Sequence, residues 1–288
     1  MKARGFRYVK PSTLKNALQI LHDAGADAVP LAGGQSLLAG LNLRLSAPSL
    51  LVDISGLTEL SGRTEQADSI RIGAATRHAE LLRCPLIQKH LPLLTKAAPH
   101  IAHAAIRNRG TIGGSLAYSD PSAELPACAI ALDAALVLAS VTGEREVKAE
   151  QFFKGLFETD LRPGELIVAV KFPKVSADTK CLFLELARRH GDFAMIGIAA
   201  RIAMDGPKIA NARVVYFGAV EHAKLARLTS AALTGLTAPI GDFSALHNAI
   251  QDDVVAQESP GLRSDTVRHL AEVLTRRAMG EIASEVAA

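Results

Sequence analysis

The chain has 288 residues, enough for two domains, with 49% hydrophobic and 21% charged residues and a net charge of +3. That balance is globular, and a charge so small and evenly spread argues against nucleic acid or a membrane surface as partner. The three cysteines, Cys84, Cys128 and Cys181, are odd in number and form no CxxC, so a disulfide framework or metal cluster is not expected. The N-terminus has no apolar signal segment, and no run approaches the ~18 apolar residues of a membrane helix. The expected compartment is the cytoplasm.

Phe6, Tyr8 and Val9 suggest a first strand; Ser12 then offers an N-cap to a helix marked by Leu14, Ala17, Leu18 and Leu21 and stopped at Gly25. Ala28 to Leu31 reads as a brief strand running into Ala32-Gly33-Gly34-Gln35-Ser36, with a turn of helix over Leu37 to Leu41. Strands follow at Leu50 to Ile54 and Ile70 to Ala74, and Thr76 is expected to cap a helix through Cys84. A long apolar helix is expected from Leu93 to Ala105, then a second glycine-rich stretch, Arg107-Asn-Arg-Gly-Thr-Ile-Gly-Gly-Ser115. Beyond it the pattern gives a helix at Leu125 to Leu132 and strands at Ala135 to Ala139, Val147 to Ala149 and Leu166 to Phe172. After the polar segment Pro173 to Lys180 come three long β runs, Cys181 to Ala187, Met195 to Met204 and Ile209 to Val220. The last two are joined by Asp205-Gly206-Pro207, and a helix over Asp265 to Met279 follows. The reading is α+β: mixed structure first, then a three-stranded sheet on helices.

Glycines among small hydroxyl residues let the backbone approach a ligand and aim N–H groups at an anion. One such loop is an ordinary turn; two of them point to one large ligand with a charged middle, such as a dinucleotide. No GxGxxG follows a strand and no GxxxxGK[ST] exists, so neither a Rossmann site nor a P-loop is supported. Gly113-Gly114-Ser115-Leu116-Ala117 fails GxSxG at its last position, which disfavours a serine hydrolase.

The stretches AGGQSLL, RNRGTIGGSLAYSDPSAELPA and ELARRHGDFAMIGIAA resemble, in order and over nearly the whole chain, the flavoprotein (medium) subunits of molybdenum hydroxylases. That family spans xanthine and carbon monoxide dehydrogenases. The resemblance implies a PCMH-type, vanillyl-alcohol-oxidase-like FAD-binding domain over residues 1–175, with subdomains of about 1–55 and 56–175, and a C-terminal domain over 176–288. It places the FAD diphosphate and ribityl chain against Ala32, Gly33, Gly34, Gln35 and Ser36, and against Thr111, Ile112, Gly113, Gly114 and Ser115. It also puts Glu124 at the ribityl hydroxyls, Ile101 and Phe193 on the flavin ring, and Ile167 and Asp192 at the site. Phe193 stands where close relatives often carry tyrosine. Each of these has a plainer alternative: a helix-dipole charge for Glu124, core packing for Ile101 and Phe193.

By the same resemblance, the partners are a large molybdenum–pterin subunit and a small subunit with two [2Fe–2S] clusters, in a dimer of heterotrimers. Electrons would pass from the clusters through FAD to an external acceptor, with no catalytic side chain on this chain. Three scattered cysteines cannot supply the about eight thiolates of two clusters. The alternatives are a stand-alone FAD oxidase or dehydrogenase with its own substrate pocket, and a non-catalytic assembly module. His100 and His103 have helical i, i+3 spacing but no third metal ligand nearby, and Arg107 and Arg109 face either phosphate, a partner or solvent.

Overall fold

The computed structural model describes residues 2–258 and 262–287. Its first sheet is parallel, in the order β1-β3-β2, from β1 (Arg7–Val9), β2 (Ala28–Leu31) and β3 (Leu50–Asp53). Parallel neighbours need crossovers, and these are α1 (Leu14–Ala24) and α2 (Leu37–Asn42). Thr13 rather than Ser12 caps α1, its Oγ1 accepting from Asn16 N–H at 3.2 Å. Ala17, Leu18 and Leu21, spaced as one helical face, are buried in the same core cluster as Leu50 and Val52 of β3.

The second sheet is antiparallel, β4-β5-β10-β6-β7, with β4 (Arg63–Glu65), β5 (Ser69–Gly73), β6 (Ala135–Ser140), β7 (Gly143–Lys148) and β10 (Leu166–Pro173). Helices α3 (His78–Arg83), α4 (Pro85–His90), α5 (Pro92–Ala97), α6 (Ala104–Arg107), α7 (Ile112–Tyr118) and α8 (Glu124–Ala131) lie between β5 and β6. A further turn of helix, α9 (Ala149–Phe152), leads into the hairpin β8 (Phe153–Gly155) and β9 (Glu158–Thr159). Strand β10 is paired on both edges and buried at six of its residues, Leu166 through Val170 and Phe172, which is why it reads as a continuous apolar run.

Two expectations fail here. Thr76 does not cap α3; Arg77 holds the N-cap, with its N–H donating to Glu80 Oε2 at 2.9 Å. The long helix over Leu93 to Ala105 is broken after Ala97: residues 98–103 form a turn, with Ala102 at φ +39°, before α6. The Arg107 guanidinium holds that turn, donating to the carbonyls of Ile101 and Ala102 at 2.9 and 2.7 Å and of Pro99 at 3.3 Å. These are carbonyls a continuous helix would have used itself. Nη1 of Arg107 is therefore engaged with its own chain.

The C-terminal sheet has four strands, not three: β11 (Thr179–Ala187), β12 (Ala194–Asp205), β13 (Lys208–Gly218) and the two-residue β14 (Lys224–Leu225), antiparallel in that order. Strand β14 is too short to carry a pattern. Helices α10 (Arg227–Leu233), α11 (Ser244–Asp253) and α12 (Ser264–Ala287) follow; the last runs beyond the expected end at Met279. Alternate residues of the sheet serve two cores, as the period of a strand requires. Cys181, Phe183, Val215 and Phe217 pack in the core that holds α5 and α8. Leu182, Ile198, Val214 and Tyr216 pack in the core that holds α12. The junction is tied by Gly218 N–H to Pro121 O and Arg213 Nη2 to Ile130 O, both 2.8 Å.

Candidate cofactor-binding site

The two glycine loops meet in one cleft of about 290 Å³ between the first two sheets. Ala32, Gly33, Gly34, Gln35 and Ser36 form one wall, and Thr111, Gly113, Gly114 and Ser115 the other. Ile167 on β10 closes the back, where the pairing with β6 shifts between Ile167 and Ala169. That irregularity accompanies a Val168 carbonyl that accepts from Ala74 N–H at 3.0 Å, and Ala74 and Ala75 line the floor.

The first loop supplies the donors. Gly34 sits at φ +73°, and the Gln35 side-chain amide donates to Gly33 O at 2.8 Å, which fixes the turn. Among the described residues, the N–H groups of Gly33, Gly34, Gln35 and Ser36 have no protein acceptor. Four such groups beside a cleft could hold an anion.

The second loop does something different from what its glycines suggest. The N–H of Ile112 donates to Thr76 O, that of Gly113 to Ala74 O, that of Gly114 to Thr111 Oγ1 and that of Ser115 to Thr111 O, at 2.8 to 3.1 Å. Its backbone donors are thus already paired, and the expected inward-pointing nest is not formed. The glycines are there for closeness. A Cβ on Gly113 would lie 2.5 Å from Ala74 Cβ, and one on Gly33 would collide with the Arg109 carbonyl. Loop one therefore lies directly on loop two. What the second loop offers the cleft is the Ser115 hydroxyl, without a protein partner among the described residues, and the side-chain-free backbone of Gly114.

Among the cleft-lining residues the charged one is Glu165. Arg145 holds it with two hydrogen bonds, Nε–Oε1 2.6 Å and Nη2–Oε2 2.7 Å, and Arg162 N–H adds a third at 2.8 Å. Burial pushes this carboxyl upward, but Arg145 and the Arg162 N–H outweigh it and hold it below the usual carboxylate range. Tyr118, Leu161, Ile54 and Glu165 complete the wall. Tyr118 belongs to the motif around the second glycine-rich stretch and reaches the wall on α7, whereas no motif announces Ile54, Leu161 and Glu165, which the ends of the sheet strands bring in.

Five expected residues lie elsewhere. Ile112 is fully buried, with its side chain in the core. Ile101 is 7% exposed in the broken turn rather than on a helix, in the core that includes Phe183 and Phe217. Asp192 and Phe193 line a second cavity of about 570 Å³, with Asp120, Pro121, Ser122, Leu156 and Phe157. Phe193 is 74% exposed there, so it is not core. The two cavities are separated by an aromatic pair: Tyr118 of the first and Phe157 of the second are 5.2 Å apart, edge to face. Glu124 lines neither cavity; it is buried at the start of α8, and burial, with Glu185 and Asp120 adding to it, pushes its carboxyl up to about 8. His100 and His103 lie within the 98–103 turn rather than on one helix, and no group of three metal-binding side chains exists among the described residues. Among those residues no helix is long and apolar enough to cross a membrane.

The family description "FAD binding domain in molybdopterin dehydrogenase" matches residues 4–175, and "CO dehydrogenase flavoprotein C-terminal domain" matches residues 182–282. The chain belongs to the FAD-binding medium-subunit family of the molybdopterin dehydrogenases. It is 39% identical over 284 residues to the alpha subunit of the 6-hydroxypseudooxynicotine dehydrogenase complex of Paenarthrobacter nicotinovorans, covering 97% of this chain and 96% of the relative. Its fold superposes on carbon monoxide dehydrogenase of Hydrogenophaga pseudoflava with a TM-score of 0.94 and 34% identity, over 97% of this chain and 98% of that one. Quinoline 2-oxidoreductase of Pseudomonas putida 86 gives 0.91 and 35%, over 99% of both chains. As a member of this family the chain is an oxidoreductase subunit with FAD as its cofactor. The first loop fits that cofactor's diphosphate, because its unpaired N–H groups are neutral donors in a cleft lined by no lysine or arginine.

Proposed function

We propose that this chain is the flavin-holding, electron-transferring medium subunit of a molybdenum hydroxylase complex. In this reading, it receives electrons from [2Fe–2S] clusters on a small partner subunit and passes them to an external acceptor. Substrate is hydroxylated at a molybdenum–pterin centre on a large subunit, in a dimer of heterotrimers. The observation that carries the reading is the row of unpaired N–H groups at Gly33 to Ser36, facing the cleft that Ser115 and Gly114 close from the other side. Three cysteines, two of them buried, leave no place for iron–sulfur clusters in this chain.

Bound FAD supplies the redox chemistry, taking up and giving out electrons; the chain's own residues bind and orient it. The N–H groups of Gly33, Gly34, Gln35 and Ser36 hold the diphosphate by hydrogen bonds. The hydroxyls of Ser36 and Ser115 add polar contacts. Arg145 neutralises Glu165, so the cleft wall does not repel the diphosphate. Ile167 and the buried floor exclude water. Of the two residues that the resemblance assigns to the flavin ring, Phe193, exposed on the second cavity, would be free to cover it, while Ile101 would act from the core behind the 98–103 turn, which meets the 188–193 turn. The two turns touch: a Cβ on Gly191 would lie 2.5 Å from the His103 ring.

The test is the absorbance spectrum of the natively purified protein together with its subunit pattern. Flavin bands, iron–sulfur absorption and two further polypeptides are expected. A colourless complex with all partners present overturns the reading; a lone active flavoprotein replaces it with the stand-alone oxidase.

A further inference from the structure

On the outer side of the second loop lies a cationic surface that the cofactor cleft does not use. A cavity of about 510 Å³ is lined there by Arg63 of β4, by Arg77 and Arg83 at the two ends of α3, and by Glu80, Cys84 and Asn108. Three guanidiniums thus share one carboxylate, and that carboxylate is already paired. Its Oε1 accepts from Arg63 Nη1 and its Oε2 from Arg77 N–H, both at 2.9 Å. Among the described residues the ion-paired arginines are Arg63, Arg145, Arg213, Arg227, Arg263 and Arg276. Arg77 and Arg83 are not among them, and neither is Arg109, exposed one residue beyond Asn108. Charge that is evenly spread along the sequence is gathered here by folding, and like charges without counter-charges repel one another.

This surface backs directly onto the cofactor cleft. Asn108 lines the cavity, and Gly110 lines the cleft. The Arg77 guanidinium donates to the Arg109 carbonyl between them, and that carbonyl lies against Gly33 of the first loop. None of the lining residues is fully buried, and Arg83, Pro85 and Asn108 are exposed. A pocket for a small ligand encloses most of it; this one presents its charges outward, as a docking face does. Glu80, by holding Arg63 and the start of α3, keeps the face in shape before any partner arrives.

We propose that Arg77, Arg83 and Arg109 form the docking face for the iron–sulfur subunit that delivers electrons to the flavin. This rests on the flavin reading above. A [2Fe–2S] cluster held by thiolates is anionic whether oxidised or reduced, so the subunit that carries it is drawn to guanidiniums without counter-charges. Opposite charges of this kind speed encounter and fix orientation. The face also lies where an electron donor is needed, with the Arg109 carbonyl between it and the N–H groups of Gly33 to Ser36. The large subunit, which in this reading passes its electrons to the clusters and not to the flavin, has no need of that position.

Two measurements on the native complex test this. Arg83→Lys and Arg109→Lys keep the charge and introduce a primary amine. The complex carrying both, treated with a carbodiimide that joins an amine directly to a carboxylate, should give cross-links from these positions to aspartates or glutamates of the iron–sulfur subunit, read by mass spectrometry of the digest. The charge-reversed pair Arg83→Glu/Arg109→Glu should release that subunit at a lower salt concentration than the wild type does, with flavin content unchanged. Cross-links to the large subunit or to a second copy of this chain, or none at all, in a complex that holds flavin and both partners overturn the docking face and leave the flavin reading intact. So does a wild-type complex that inorganic phosphate stabilises against heat while the lysine variant gives no cross-link, which would make the cavity an anion site. A complex without flavin, or without an iron–sulfur subunit, overturns both.

Discussion

Arg145 grips Glu165 in a two-point hydrogen-bonded ion pair on the wall of the cofactor cleft, and shares its third nitrogen position with Asp160 at 2.7 Å. Charge-assisted pairs of this geometry are stronger than isolated surface ones. Their removal on one side only leaves the other charge uncompensated. Arg145→Met should therefore place a bare carboxylate beside the diphosphate position and weaken FAD binding by roughly tenfold or more, about 1.4 kcal/mol. The double variant Arg145→Met/Glu165→Gln should recover most of that loss. Flavin affinity, measured by reconstitution of flavin-free protein, decides; equal affinity in the wild type and the single variant would remove Glu165 from the site.

Gly113 and Gly114 are neighbours with opposite expected phenotypes. A side chain at Gly114 meets Thr111 Oγ1 at 2.8 Å and then nothing nearer than Ala32 Cβ at 4.0 Å, so it projects over the cleft. Gly114→Val should give folded protein whose flavin-to-protein ratio is near zero. Gly113→Ala instead drives a methyl into Ala74 and should destabilise the fold by about 1–3 kcal/mol. Thermal melts of the flavin-depleted proteins, beside flavin content, separate the two. A Gly114→Val protein with full flavin would mean the cofactor does not cross this loop.

Thr111 caps α7, its Oγ1 accepting from Gly114 N–H at 3.1 Å. Thr111→Ala should cost about 1 kcal/mol, whereas Thr111→Ser should restore most of it. The loss should be visible in urea unfolding of flavin-free protein and larger still in the flavin off-rate, because the loop lines the cleft.

His78 lies beneath Gly110, whose added Cβ would be 2.8 Å from the imidazole, and both ring nitrogens lack partners among the described residues. Burial is the main cause that lowers its pKa to about 4, with the Arg77 and Arg107 charges adding to it. A base whose folded pKa is depressed binds more protons unfolded than folded between the two values. Its contribution to stability is complete above about 6.5 and is lost as pH falls towards 4. Wild-type melting temperature should drop across that window more steeply than that of His78→Phe. Parallel curves for the two proteins would show that the imidazole does not titrate on unfolding.

The elements legible in the sequence are those whose signal is local. Leu166 to Phe172 announces a buried strand by itself, Asp205-Gly206 marks its hairpin, and the glycine loops stand out by composition. What was not legible depends on distant partners. In the apolar stretch from Leu93 to Ala105 the break itself is local, marked by Pro99, and what the sequence does not show is the reach of Arg107 back to three carbonyls that holds the turn. The destination of the second loop's N–H groups is set by Ala74 and Thr76, on a segment that no motif connects to Thr111. Glu165 reaches the cleft through sheet pairing. Strand β14 holds two residues, too few for any periodicity.

The sheet of the C-terminal half gives one face to each core, and Phe183 and Phe217 stack at 5.4 Å on the face turned towards α8. A break in the chain between Pro173 and Lys180 would thus not release two finished globules. It would strip an aromatic plate from the first half and leave α5 and α8 wet. The two family segments are separable as text but not as matter, so neither is expected to travel through evolution, or through a cloning experiment, without the other.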